Sequence, residues 1–291
     1  MRLRSLLFVP AHKSKYYEHA LASEADAIIF DLEDSVFSTE LKASARKILA
    51  ENVNIFEGSG KHLFVRINDR ESGELFDDLI LTASLPIDGY MYPKAHSAQD
   101  IYFIDKYLDV IEAKLKLPNG GLKLLPLIET AESIFNVLSI AKESDRTVGL
   151  AFGCEDYLGD TGGNHDLNEA ALESARSAVA LACRASGIEP IDTVHIKIHD
   201  AEDLARNLKI AKTHGFSGML CLHPKEISTV NDNFTPSFEE LAWAQNVLDI
   251  ANESQSHYNG VVLVDGQFVG PPLIQKAEKV LNRARVLGLV K

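Results

Sequence analysis

The sequence predicts a (β/α)8 barrel followed by a C-terminal hairpin–helix extension. Three observations lead there. Eight short apolar segments recur along residues 1–235, helical patterns separate most of them, and nearly all end abruptly in charged or polar side chains. Continuous apolar runs of this kind read as strands buried on both faces, the habit of parallel sheets. Strand–helix alternation repeated eight times implies right-handed crossovers and closure into a barrel rather than an open doubly wound sheet.

The first segment is 6–9 and the second 27–30, which runs into Asp31-Leu32-Glu33-Asp34. Segment 62–65 ends in Arg66-Ile67-Asn68, and 89–92 in Pro93-Lys94. Segment 122–128 ends in Glu129, and 148–152 in Gly153-Cys154-Glu155-Asp156. The seventh segment is placed at 193–198, before His199-Asp200, and the eighth at 219–222, before His223-Pro224. Between them, 38–51 carries Leu41, Ala45, Ile48 and Leu49 at helical spacing. Residues 97–117 open with Ser97-x-x-Asp100, a capping-box start, and continue with Ile101, Ile104, Leu108 and Ile111 on one face. An Ala-rich helix over 169–186 stops at Gly187, and another over 200–214 stops at Gly215.

The barrel domain is assigned to 1–235 and the extension to 236–291. The extension reads as a helix over 239–251, a polar stretch 252–259, a hairpin over 260–269 with Asp265-Gly266 at its turn, and a last helix after Pro271-Pro272. It is expected to close over the barrel mouth or to dock on a neighbouring subunit.

Composition narrows the partners. A chain of 291 residues, 46% hydrophobic, can bury a large core, and its net charge of −13 opposes nucleic acid or an anionic membrane as partner. No apolar stretch approaches the ~18 residues of a membrane span. The run after Met1-Arg2-Leu3-Arg4 is too short for a secretion signal and breaks at Pro10, so a cytoplasmic protein is expected. Cys154, Cys183 and Cys221 are widely spaced among apolar or small residues, which reads as neither a disulfide framework nor a zinc site and predicts buried free thiols. The first strand–helix turn, Pro10-Ala11-His12-Lys13, has no G-x-G-x-x-G, and no Walker motif occurs.

Active sites of such barrels sit at the C-terminal strand ends. There the sequence collects Asp31, Glu33, Asp34, Arg66, Lys94, Glu129, Glu155, Asp156 and His223. Glu129 and Asp156 end adjacent strands ~4.8 Å apart, within reach of one ion, and a carboxylate pair with open positions suits Mg²⁺. Glu129 could instead be a helix-start acid, since Thr130 or Ser133 could begin a helix. Arg66 needs a carboxylate, either from a bound acid gripped by its fork or from Glu33 or Asp34. Glu33 and Asp34 are candidate catalytic residues that orient metal-bound water, or else N-cap acids. Lys94 is a candidate substrate cation or a surface charge. His223 reads as a structural hydrogen-bonder, Asp265 as a turn residue, and His195, His199 and His214 as too scattered for a zinc site.

The chain resembles the citrate lyase β-subunit-like group of the HpcH/HpaI aldolase family over nearly its whole length. The resemblance runs through Arg4-Ser5-Leu6-Leu7-Phe8-Val9-Pro10, Asp31-Leu32-Glu33-Asp34-Ser35-Val36, Val65-Arg66-Ile67-Asn68, Pro93-Lys94, Leu127-Ile128-Glu129-Thr130 and Gly153-Cys154-Glu155-Asp156-Tyr157. It continues through Ala175-Arg176-Ser177, Ile191-Asp192-Thr193, Gly215-Phe216-Ser217-Gly218 and His223-Pro224. It implies a (β/α)8 barrel assembled as a homotrimer or hexamer, Mg²⁺ on Glu129 and Asp156, and Arg66 against a 2-oxo acid such as oxaloacetate, pyruvate or glyoxylate. It implies a carbon–carbon lyase whose second substrate is an acyl thioester, on coenzyme A or an acyl carrier protein. A thioesterase, a pyruvate-type aldolase and a non-catalytic oxo-acid-binding subunit are the alternatives. Three departures stand out. Ala11 replaces a customary Gly, Met219 a customary Lys, and Gly270 falls where lyases of the group carry an acid–base Asp.

Overall fold

The computed structural model describes residues 1–257, 262–264 and 267–290. The Asp265-Gly266 turn therefore lies outside the described residues. The chain divides into two compact units, Leu3–Asp232 and a smaller one that joins Met1–Arg2 to the residues from Asn233 onward.

The larger unit is a closed, all-parallel, eight-stranded barrel. Its strands are β1 (Ser5–Pro10), β2 (Ala27–Asp31), β3 (His62–Arg66), β4 (Gly89–Tyr92), β5 (Lys123–Ile128), β6 (Gly149–Phe152), β7 (Glu189–Asp192) and β8 (Gly218–Cys221). Closure is made by β1, which pairs with β2 on one side and β8 on the other. The interior is filled by inward side chains from successive strands, including Leu6, Ile29, Phe64, Met91, Leu125 and Leu220. This is the packed core that replaces a pore in barrels of this size.

The helices of this unit are α1 (Tyr17–Ala22), α2 (Thr39–Asn52), α3 (Leu75–Thr82), α4 (Ala98–Leu115), α5 (Ala131–Lys142), α6 (Cys154–Thr161), α7 (Glu173–Ser186), α8 (Ala201–His214) and, across the unit boundary, α9 (Ile227–Phe234). Their starts follow local chemistry. Ser38 caps α2 by accepting from Leu41 N, Ser97 and Asp100 form the expected capping box of α4, and Asp200 caps α8 through Asp203 N. Helix α7 ends where Gly187 takes a left-handed φ of 71°.

One strand is not where the sequence placed it. Residues 193–198 form the loop beyond the seventh strand, and β7 itself is Glu189–Asp192. Proline cannot donate to a sheet ladder and argues against a central strand, so Pro190 hides this one. Its carbonyl is nevertheless used, accepting from Ser217 N at 3.0 Å. The shift makes Asp192 the strand-end acid, and Arg176 holds it at 3.1 Å with both side chains buried.

The smaller unit contains α10 (Phe238–His257), a two-stranded antiparallel pair β9 (Val262–Val264) and β10 (Gln267–Val269), and α11 (Pro271–Val286). Helix α10 continues to His257 through residues expected as a polar linker, which contain no Gly or Pro to stop it. Ala244 and Val247 of α10 pack on Ala277 and Leu281 of α11.

Candidate active site and metal centre

Strand register builds the site. In the β2–β3 ladder Asp31 and Arg66 are direct partners at the C-terminal strand ends. Arg66 donates from Nε to Asp31 Oδ1 and from Nη2 to Asp31 Oδ2, both at 2.8 Å. Its Nη1 meets Asp34 Oδ2 at 3.0 Å and Glu33 Oε2 at 3.1 Å. The guanidinium also lies over the Phe8 ring, 4.8 Å from its centroid. Burial pushes the Asp31 carboxyl up, but the guanidinium and the Glu33 amide outweigh it and hold Asp31 below the ordinary range. The sequence reading offered Glu33 or Asp34 as the protein partner of Arg66. Both contribute, yet the two-pronged grip belongs to Asp31.

Glu33 is shared between two cations. Its Oε1 accepts from Lys94 Nζ at 3.2 Å, and Lys94 also reaches Asp69 Oδ2 at 2.9 Å. Burial raises the Glu33 carboxyl to about 7 against the pull of Arg66. Lys94 adopts a positive φ of 49°, which directs its backbone N–H to Glu129 Oε1 at 2.6 Å. The ammonium of Lys94, a candidate substrate cation, faces protein carboxylates here. It is occupied by Glu33 and Asp69, and neither Lys94 nor Glu33 lines the cavity described next.

A cavity of about 440 Å³ opens at these strand ends, lined by Asp34, Arg66, Glu129, Glu155 and Asp156 on its polar side and by Phe8, Leu127, Val194, Ile196 and Leu220 on its apolar side. Glu129 immediately precedes Thr130, and Thr130 with Ser133 caps α5, so Glu129 is released from that duty. Its carboxylate lies over Gly153, where an added Cβ would stand 2.8 Å from both Cβ and Oε2 of Glu129. Gly153 is thus required as open space. It also precedes α6, whose first turn carries Glu155 and Asp156. Thr193 Oγ1 accepts from Cys154 N at 3.0 Å and fixes that turn.

The donor set fits a hard divalent cation. Glu129 is 2% exposed, and burial with the negative charges of Glu33 and Asp156 raises its carboxyl to about 8. Neither Glu129 nor Asp156 has an ion-pair partner among the described residues, while Arg66 and Lys94 pair with other acids. Two oxygen donors of like charge at a cavity, without a side-chain counterion, are what Mg²⁺ coordination relieves.

The HpcH/HpaI aldolase/citrate lyase family model matches residues 4–224. The chain belongs to this family. It is similar to the citrate lyase subunit beta of Leuconostoc mesenteroides subsp. cremoris, with 31% identity over 99% of this chain and 95% of that protein. It is also similar to the (3S)-malyl-CoA thioesterase of Cereibacter sphaeroides, with 29% identity over 98% of this chain and 95% of that one. Among solved structures it resembles protein CitE from Mycobacterium tuberculosis in complex with magnesium, acetoacetate and coenzyme A. The TM-score is 0.77 and the identity 31%, over 97% of each chain.

The remaining sequence candidates fall outside the cation pair. His223 caps a 3-10 turn, accepting from Lys225 N, and is a structural hydrogen-bonder as expected. The three cysteines are free and buried. Asp31, Gly153 and Thr193 were not assigned roles from sequence. Only their register against Arg66, Glu129 and Cys154 shows what they do.

Proposed function

We propose that the protein is a Mg²⁺-dependent carbon–carbon lyase, cleaving or forming a bond between a small 2-oxo acid and an acyl-CoA. The observation that carries this reading is the pair Glu129 and Asp156, acids without counterions, facing one cavity with Arg66. The membership of the family and the magnesium- and coenzyme A-bound relative support it.

In this proposal Glu129 and Asp156 hold the ion, which when bound would chelate the oxo-acid carboxylate and carbonyl and stabilise charge developing on the carbonyl oxygen. Arg66, which lines the same cavity, supplies a second positive pole to the same acid. Glu33 and Asp34 act through Arg66, fixing its plane and lowering its net charge. Lys94 acts as a positioning residue through its amide on Glu129. The apolar wall of Phe8, Leu127 and Val194 keeps the reacting bond away from water. In the cleavage direction the substrate hydroxyl loses its proton, the carbon–carbon bond breaks, and the electron pair passes to the thioester enolate, which takes a proton. Gly270, the N-cap of α11, falls by sequence where lyases of the group carry an acid–base Asp and offers no side chain for that proton transfer.

No helix among the described residues is long and apolar enough to cross a membrane. We further propose a cytoplasmic homotrimer or hexamer with no nucleic-acid or membrane partner. The C-terminal extension, from sequence order alone, would serve as a cover for a barrel mouth, its own or a neighbour's.

The test combines calorimetry and turnover. Oxaloacetate, pyruvate or glyoxylate should bind only with Mg²⁺ present, and malyl-CoA or citramalyl-CoA should yield glyoxylate or pyruvate. Absence of Mg²⁺-dependent binding for all three acids overturns the reading. Free thiol released without any oxo acid assigns a thioesterase instead, the activity for which the Cereibacter relative is named.

A further inference from the structure

Beside the hard carboxylate pair lies a cluster of different chemistry. Cys154, Glu155 and His165 bring a sulfur, a carboxylate oxygen and an imidazole nitrogen within 4.8 Å of one another. Cys154 Sγ lies 3.3 Å from Glu155 Oε1, and His165 Nε2 lies 2.7 Å from the same oxygen. We propose that these three side chains form a binding site for a borderline-soft divalent cation of the Zn²⁺ type, separate from the Glu129–Asp156 pair.

The distances carry the proposal. Bond lengths of ~2.3 Å to sulfur and ~2.0 Å to nitrogen and oxygen, at tetrahedral angles, require ligand-to-ligand edges of about 3.3–3.5 Å. The sulfur–oxygen edge is already of that length, and the nitrogen–oxygen edge needs to open by about half an ångström. The imidazole is oriented from behind. His165 Nδ1 is paired with Glu169 Oε2 at 2.8 Å, and Glu169 is buried, so Nε2 is the nitrogen presented to the cluster. A carboxylate behind a histidine is the usual means of fixing a metal-ligating tautomer. Thiolate and imidazole favour zinc-type ions over Mg²⁺, which selects oxygen donors.

The sequence concealed this cluster. The scattered cysteines read as no zinc site, but one cysteine suffices when the first turn of α6 also supplies Glu155 and the following loop returns His165. Cys154 and Glu155 also line the large cavity, so the cluster borders the space where substrate is proposed to bind. The site does not depend on the lyase reading, because its ligands and its test are separate from turnover.

Cobalt(II) is the probe, since a thiolate–cobalt bond gives a near-ultraviolet charge-transfer band that oxygen ligands cannot. Full-length protein freed of metal should develop this band on Co²⁺ titration, keep it in excess Mg²⁺, and lose it on Zn²⁺ addition. Cys154→Ser should abolish the band, and Glu169→Gln should weaken Co²⁺ binding about 10–100-fold. His165→Ala, at a half-buried loop position, serves as the second variant if Cys154→Ser does not fold, and should also abolish the band. Glu129→Gln should leave the band unchanged. No band in the wild type, a band surviving in both ligand variants, or its loss in Glu129→Gln or in Mg²⁺ overturns the proposal. In that case the cluster is an ion-paired histidine between two glutamates.

Discussion

Lys94 grips Glu129 with its backbone while its ammonium faces elsewhere. The amide donates to Glu129 Oε1 at 2.6 Å, and the Nζ pairs with Asp69 and Glu33. The two ends of this residue can therefore be separated experimentally. Lys94→Met keeps the amide and should change Mg²⁺ affinity by less than about threefold, the scale of a partly exposed ion pair. Glu129→Gln should abolish Mg²⁺ binding. Calorimetric titration of both variants checks the contrast, and a Lys94→Met protein that no longer binds Mg²⁺ would sink this assignment.

Gly153 should tolerate no side chain. A Cβ there meets Glu129 Oε2 at 2.8 Å, well inside contact distance. Gly153→Ala should displace the Glu129 carboxylate, weaken Mg²⁺ binding more than tenfold, and cost about 1–3 kcal/mol of stability from overpacking. Titration with Mg²⁺ and urea denaturation read the two effects independently.

The raised Glu129 carboxyl has a pH signature. Its ordinary value near 4.5 rises to about 8 in the folded chain, so the native state holds a proton that the unfolded state has lost between those limits. Stability from this group is present below about pH 4.5 and is lost as pH climbs through about 8. The wild type should therefore lose stability relative to Glu129→Gln across that window, in metal-free buffer. Mg²⁺ binding should tighten over the same range, because the proton must leave first. Thermal melts and Mg²⁺ titrations from pH 5 to pH 9 check both signs, and a flat difference between the two proteins would count against them.

Asp31 and Arg66 should behave as a structural pair as well as a functional one. Both are buried and joined by two hydrogen bonds of 2.8 Å. Asp31→Asn leaves the guanidinium with Glu33 and Asp34 alone and should cost about 3 kcal/mol, the lower end for breaking a buried pair. Arg66→Lys keeps the charge but loses the fork, and should weaken oxo-acid binding at least tenfold with Mg²⁺ affinity retained. Chemical denaturation and competitive titration distinguish the two losses.

Much of this architecture was legible in the chain. Buried strands announce themselves as unbroken apolar runs, so seven of the eight segments coincide with barrel strands in the structure. Capping residues such as Ser38, Ser97 and Asp200 are local signals, readable without tertiary context. The seventh strand escaped because Pro190 and Glu189 break the apolar pattern, while the next residues imitate it. Helix α10 outruns its sequence boundary because a polar stretch without Gly or Pro fits a solvated helix as well as a linker.

The sequence by itself determined the barrel, the placing of polar residues at its strand ends, and the family. These follow from periodicity and from short-range motifs, which a linear chain displays directly. Only the tertiary structure decided which acid meets which cation. Asp31 holds Arg66 because β2 and β3 share a register, Lys94 turns its amide to Glu129 through a left-handed backbone, and Gly153 leaves room for that carboxylate. Such pairings depend on distances across strands and loops. Residues far apart in the chain are brought within 3 Å only when the barrel closes.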